Sequence, residues 1–365
     1  MAPAEEPATP PAVPSVELAP GVPIPRLING CWQLAEDHRE PKRGHEETLQ
    51  ALEGLARLGL TTFDGADIYT GVESTLGAFR RRWIEGGGDP GVLRFHTKFV
   101  PDLDTLPTLG LGDVRAIGRR SCQRLGVERL DLVQFHWWDL DVGGWVRTAG
   151  WLDELRREGR IRHLGVTNFD ALALREILDA GVELVSNQVQ VSLLDRRTER
   201  GTAELCRRHG IGLLAYGALA GGLLTDRWFG RPDPGHRMAN RSLVKYRLVV
   251  DELGGWEVFQ QLLRILDRVA RKHGEILGRP VTIAQVALRW VLDRPGVLAV
   301  LAGTSSVERG RSNLGCFDVA LDADDLRSFD EFHHRHPGPS GDVYSVEREV
   351  GGRHAAIMKT HLNRG

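Results

Sequence analysis

The sequence predicts an α/β protein of the closed (β/α)8 TIM-barrel class. Three observations carry this reading. Eight short apolar runs alternate with longer helical patterns from about residue 26 onward. Their cores are nearly continuous in apolar residues, as in strands buried on both faces of a parallel sheet. No G-x-G-x-x-G opens the first strand–helix turn, which argues against an open dinucleotide-binding sheet; the glycine-rich "GALAGG" (217–222) has the wrong spacing. A chain of 365 residues is long enough to hold the eight units in one domain.

The elements follow in order. "RLINGCW" (26–32) is the first strand, and its helix shows an apolar stripe at Leu49, Leu52, Leu55 and Ala56. "TTFDGA" (61–66) precedes a helix near 73–84, and "LRFHTKF" (93–99) precedes one from Val114 to Leu125. "LDLVQFHWW" (130–138) leads into "WVRTAGWLDELRREG". "RHLGVTNF" (162–169) leads into "DALALREILDAG", where Asp170 caps a helix and Gly181 ends it. "LVSNQVQ" (184–190), "IGLLAYGAL" (211–219) and "VLAVLAG" (297–303) complete the strands.

Around this barrel, assigned to residues 21–334, three segments stand apart. Residues 1–20 are rich in Pro and Ala and are expected to be a disordered leader. Residues 225–256 form a long polar insert after the seventh strand, expected to be functional or mobile. Residues 335–365 form a tail rich in Gly, His and Arg, and the sequence does not decide whether it packs on the barrel. "HHRH" (333–336) reads as part of a flexible basic tail; no metal site is expected, because no Cys or Asp partner has ligand spacing.

Composition excludes several function classes. The net charge is −2, from 47 basic and 49 acidic residues, so no nucleic-acid or anionic-membrane footprint is expected. The apolar stretches fall short of a bilayer span. Cys31, Cys122, Cys206 and Cys316 form no C-x-x-C pair, as in a cytoplasmic protein with reduced thiols. The N-terminal residues lack the basic and apolar regions of a secretory signal.

In such a barrel, chemistry sits at the C-terminal strand ends. Asp64 and Tyr69 follow the second strand, Lys98 ends the third, and His136 ends the fourth, followed by Trp137 and Trp138. Thr167 and Asn168 follow the fifth strand, Gln188 lies in the sixth, and Tyr216 in the seventh. Cys31 and Trp32 follow the first. Taken singly, Asp64 is a turn residue, Tyr69 packing, Lys98 a surface charge and His136 a core histidine. Their matching positions on successive strands point to one assembly. A lysine within ~4–6 Å lowers a tyrosine's pKa, ordinarily about 10, by ~1–3 units. A carboxylate keeps that lysine charged, and an imidazole donates a hydrogen bond to a substrate oxygen. The result is a tuned proton donor facing a carbonyl. No nucleophile–base pair is evident, so a nicotinamide cofactor is the natural electron source.

"FDGADIYTGVESTLG", "HTKF", "LVQFHWWD", "GVTNF", "NQVQVSLL" and "LLAYGALAGGLLT" resemble the aldo-keto reductase family, in order, over roughly residues 21–330. The resemblance implies a barrel that binds NADPH, with NADH possible, and reduces an aldehyde or ketone to an alcohol. It implies a tetrad of Asp64, Tyr69, Lys98 and His136, with Tyr69 as the acid. It places Thr167, Asn168 and Gln188 at the nicotinamide carboxamide and Tyr216 against the nicotinamide ring. Cys31 and Trp32 join the cofactor set, Trp32 also as a pocket wall. Gly217, Leu219 and Gly221 match the loop around the pyrophosphate. Gly303, Thr304, Arg309 and Asn313 match the adenosine-phosphate segment. That segment departs from the common pattern: Gly303 stands for a lysine, Ser312 for a glutamate and Ala302 for a proline. Two other readings stay open, a regulatory subunit that senses nucleotide and a Schiff-base lyase with Lys98 as nucleophile.

Overall fold

The computed structural model describes residues 13–36, 44–303 and 306–363. Ten strands are present among the described residues: β1 (Ser15–Ala19), β2 (Val22–Pro25), β3 (Leu27–Gly30), β4 (Thr62–Asp64), β5 (Arg94–Phe99), β6 (Leu130–Phe135), β7 (Ile161–Thr167), β8 (Ser186–Gln190), β9 (Gly212–Tyr216) and β10 (Val297–Ala302). Strands β3 to β10 form a closed parallel barrel in which β10 pairs with both β9 and β3. These eight strands coincide with the eight apolar runs.

The barrel is ringed by α1 (His45–Arg57), α2 (Val72–Glu85), α3 (Leu111–Leu125), α4 (Trp145–Arg157), α5 (Ala171–Asp179) and α6 (Thr202–Arg208). After β9 come α7 (Arg241–Leu253), α8 (Trp256–Leu277) and α9 (Ile283–Leu292), and after β10 come α10 (Val307–Leu314), α11 (Ala323–Arg335) and α12 (Ser345–Arg348). Helix α1 buries Leu49, Leu52, Leu55 and Ala56. The Asp170 carboxylate accepts from the Ala173 N–H (2.9 Å) at the start of α5, as a cap should.

Strand alternation separates chemistry from packing. Phe63 packs on Phe79 of α2 (5.0 Å between ring centroids), while its neighbour Asp64 turns to the other face. Phe135 packs on Phe169 (5.5 Å) and Trp137 (5.8 Å), while Gln134 and His136 flank it on the opposite side.

The leader expectation is corrected for its last residues. β1 and β2 form an antiparallel hairpin, and Leu18 and Ile24 pack on Leu132, Leu214 and Ala299, closing the N-terminal end of the barrel. Gly21 takes the left-handed turn (φ 72°) between them. Bulk Pro/Ala content hid the alternation of Val16, Leu18 and Ile24. Residues 1–12 lie outside the described residues.

The polar insert also folds. Asn240 accepts from the Leu243 N–H (2.9 Å) and starts α7, which buries Leu243, Tyr246, Val250 and Leu253. "HHRH" is likewise corrected, because His333, His334 and Arg335 belong to α11. His333 is buried, and its Nε2 lies 2.8 Å from the Leu193 carbonyl oxygen.

The tail packs on the C-terminal end of the barrel, against the segments that follow β4 and β5. Leu362 lies against Ala66, Ile68 and Val100, and Asn363 Nδ2 donates to Asp67 Oδ2 and the Val100 carbonyl (2.7 Å each). Arg197 clamps the tail through two fully buried carboxylates. It reaches Glu347 at 2.7 and 3.0 Å and Asp195 at 2.7 Å. Burial alone would raise the Glu347 pKa, but Arg197's hydrogen bonds and charge hold it at about 2. The unfolded value is about 4.3, so this contact stabilises the tail fully above that pH and is lost as pH falls toward 2. Peptic cleavage after residue 336 is expected to accelerate over that window in the native protein. In Glu347→Gln it should be fast already at its upper end; equal resistance of both proteins throughout would contradict the clamp.

Candidate active site

The strand register assembles the tetrad. Asp64 pairs across from His96, Lys98 from Gln134 and Thr167 from Gln188, so successive strand ends bring their polar side chains to one level. Lys98 Nζ donates to Asp64 Oδ1 and to the Gly65 carbonyl (2.8 Å). The ammonium lies 5.0 Å from the Tyr69 ring centroid. Both Lys98 and Asp64 are buried. Burial opposes the charged ammonium, yet Asp64 and Tyr69 outweigh it and raise the Lys98 pKa.

Tyr69 departs from the expected direction. Burial pushes its phenol above the ordinary value, and Lys98 pulls it down only in part, through charge and a hydrogen bond. In this closed arrangement desolvation is the larger effect. Trp32 stands edge-on to Tyr69 at 4.7 Å, which places it at the pocket wall. Cys31 is buried beside Asp64, whose carbonyl accepts the Cys31 N–H (2.9 Å).

His136 is buried and held neutral. Burial, then the Arg348 charge, lowers its pKa to about 3. Its Nδ1 lies 3.3 Å from the Thr167 carbonyl. A carbonyl only accepts, so the single proton sits on Nδ1. Nε2, which has no partner among the described residues, therefore presents a lone pair. The expected donor to a substrate oxygen is thus an acceptor in this state. The two tryptophans differ: Trp137 is core, fully buried beside Phe135, whereas Trp138 is part-exposed and edge-on to His136 at 4.5 Å.

The cofactor set is partly gathered. Asn168, in the left-handed region (φ 63°), accepts from the Tyr216 hydroxyl at 2.8 Å. The Thr167 hydroxyl donates to the Gln188 carbonyl (2.9 Å). Gln188 Nε2 donates to Asp64 Oδ2 (2.8 Å) and Gln134 Oε1 (2.7 Å), which leaves only its Oε1 for a ligand. Lys245 of α7 lies over Tyr216, 4.9 Å from its ring centroid. Gly217 (φ 75°) and Gly221 (φ 64°) flank Leu219 in a tight loop under α7; a Cβ on Gly217 would meet the Tyr246 hydroxyl at 2.3 Å. At Gly303 the Gln33 amide fills the space where a side chain would begin, 2.1 Å from a built Cβ, so a lysine there would displace it. Arg309 is exposed in the first turn of α10, and Asn313 is buried with Nδ2 unpaired among the described residues. Thr304 lies outside the described residues.

Four contributors escaped the sequence reading. Gln134 donates to Asp64 Oδ2 (2.7 Å); its place two residues before His136 was the available signal. Tyr344 (5.4 Å from the His136 ring), Arg348 and Lys245 come from the tail and the insert, where no periodic strand signal points inward.

Asp67 is buried next to this group. Burial, then the Glu73 charge, raises its pKa to about 8. Its folded value lies above the unfolded one, about 3.9. The folded state therefore binds the extra proton between them, and stability falls as pH rises through about 8. Asp67→Asn is expected to flatten that fall, read as urea midpoints on either side of the transition. A midpoint difference as large as in the native chain would contradict it.

With this geometry in view, a family comparison matches residues 26–334 to the aldo/keto reductase family. The chain belongs to the aldo/keto reductase family. Its relatives include the NADH-specific methylglyoxal reductase of Escherichia coli, 30% identical over 62% of this chain and 66% of that protein. Flagellar radial spoke protein 5 of Chlamydomonas reinhardtii is 30% identical over 67% of this chain and 56% of its own length. The chain thus spans less than two thirds of these relatives. A solved structure of a thermostable aldo-keto reductase superposes with a TM-score of 0.66 at 25% identity, covering 87% of this chain and 99% of the other. No helix among the described residues of this family member is long and apolar enough to cross a membrane.

Proposed function

We propose that this chain is a nicotinamide-dependent oxidoreductase that interconverts a small carbonyl compound and its alcohol, with Tyr69 as proton donor. The observation that carries the reading is Lys98, held between Asp64 and Tyr69 beside His136. Membership of the family supports the reaction class. Tyr69 holds a proton at Oη and gives it to the carbonyl oxygen. Lys98 stabilises the phenolate left behind, and Asp64 keeps Lys98 charged and aimed. His136 stands beside this group as a neutral imidazole, held through Nδ1 by the Thr167 carbonyl. A bound nicotinamide dinucleotide would supply the hydride.

Asn168, Tyr216, the 217–222 loop and the Asn313 amide would hold that cofactor; the Tyr216–Asn168 hydrogen bond and the buried Asn313 Nδ2, unpaired among the described residues, support this. NADPH is the proposed form through Arg309, with NADH as the alternative that Gly303 and the NADH-specific relative favour. The Schiff-base reading loses support, since the raised Lys98 pKa withholds the lone pair a nucleophile needs. The four cysteines are free, which suits a cytoplasmic location.

Fluorescence titration with NADPH and with NADH, followed by aldehydes and ketones at the nicotinamide absorbance, tests the proposal. Saturable binding and substrate-dependent loss of absorbance are expected. Absence of binding to either dinucleotide would defeat it.

A further inference from the structure

Two cations at the barrel mouth form no ion pair among the described residues. Lys245 Nζ lies over the rings of Tyr216 and Tyr246, 4.9 and 5.4 Å from their centroids. Neither a hydrogen bond nor an ion pair holds it among the described residues. The carboxylates that influence it, Glu347 and Asp195, are both bound to Arg197. Arg348 donates to the carbonyls of Trp137 (2.9 Å) and Trp138 (3.2 Å), the two residues that follow His136. Its Nη1 is buried without a partner among the described residues. Its guanidinium lies 5.1 Å from the Tyr344 ring, and that ring stands 5.4 Å from His136.

Partly desolvated cations without counter-charge are costly, and a bound anion offsets that cost. Lysine offers a point charge and arginine a directed N–H, a combination suited to carboxylate or phosphate oxygens. The position matters too. Arg348 reaches the His136 end of the mouth through the Tyr344 ring, and Lys245 lies over Tyr216, the ring assigned to the nicotinamide. The charges of Arg348 and Lys245 both act on the His136 imidazole and help keep it neutral.

We propose that Lys245 and Arg348 form an anion subsite above Tyr69 and His136, so that the preferred substrate is a carbonyl compound carrying a carboxylate or phosphate close to its reacting carbon. The inference rests on the reductase reading above. It separates this chain's substrates from uncharged aldehydes of the same size.

The test pairs 4-oxobutanoate with butanal, equal in carbon number and differing in charge. The native enzyme should favour the anion by at least about tenfold in kcat/KM, a discrimination of ordinary size for one charged contact. Lys245→Gln should remove most of that preference by raising the KM for 4-oxobutanoate, and Lys245→Arg should keep it. Equal kcat/KM for the two aldehydes in the native enzyme would overturn the subsite. So would a Lys245→Gln enzyme that keeps the preference and instead loses dinucleotide affinity, since the cation would then serve the cofactor. Calorimetry with 4-hydroxybutanoate gives a readout independent of turnover. Binding lost in Lys245→Gln supports the subsite even if no aldehyde is reduced, in which case the reductase reading alone fails. No binding to the native protein overturns the subsite.

Discussion

Replacing Tyr69 by Phe is expected to lower kcat/KM for carbonyl reduction by about 10²–10⁴-fold, the usual contribution of a positioned proton donor. The argument runs through Lys98. Its ammonium is fixed by Asp64 and the Gly65 carbonyl and lies 5.0 Å from the Tyr69 ring centroid, so the charge is positioned before any substrate arrives. Phe keeps the ring, its edge contact with Trp32 and the surrounding packing, and removes only the hydroxyl. Dinucleotide affinity should therefore stay within about twofold, because the groups assigned to the cofactor lie on other strands. Reduction that survives in this variant at native rates would refute Tyr69 as the donor. A parallel loss of dinucleotide binding would point to collapse of the site instead.

The second large effect concerns the tail. Arg197→Met is expected to destabilise the fold by about 3–5 kcal/mol, as breaking a buried ion pair does. Arg197 is almost fully buried and answers two buried carboxylates, Asp195 and Glu347. Its removal leaves both with no bonded cation, and Lys245 has no contact close enough to replace it. Urea unfolding would read the loss. The double variant Arg197→Met/Glu347→Leu should recover part of it, because one uncompensated charge is gone. A change below about 1 kcal/mol in the single variant would show the clamp to be no more than a surface pair.

The fold was legible because barrel strands are sandwiched between an interior and a helical layer. That environment demands runs such as "LRFHTKF" and "VLAVLAG", which punctuation by glycine and capping residues then separates. The meeting of Asp64, Lys98 and His136 was legible for the same reason, since strand ends fix where side chains point, and Tyr69 follows from the short loop after β4. What stayed hidden lies where composition masks pattern. The leader's prolines concealed the Val16, Leu18 and Ile24 alternation of the hairpin. The insert's charges concealed α7, although Leu243, Tyr246, Val250 and Leu253 are spaced for one helical face. Gln134 was passed over because an amide inside a strand has no titration of its own. The opposing effects on Tyr69 could not be ranked from sequence, because burial beside Trp32 appears only when distant segments meet.

A chain made from its N-terminus builds β3 early, yet β3 finds its second neighbour only when β10 is synthesised. Until then the nascent barrel has two open strand edges, one at β3 and one at β9, the condition in which chains pair wrongly with one another. Tyr344, Glu347 and Arg348 emerge later still. The order of synthesis therefore makes the scaffold first and the mouth last, so a chain that ends before Tyr344 and Arg348 lacks the groups packed beside His136. The segment that covers the mouth is thus made only after all eight barrel strands.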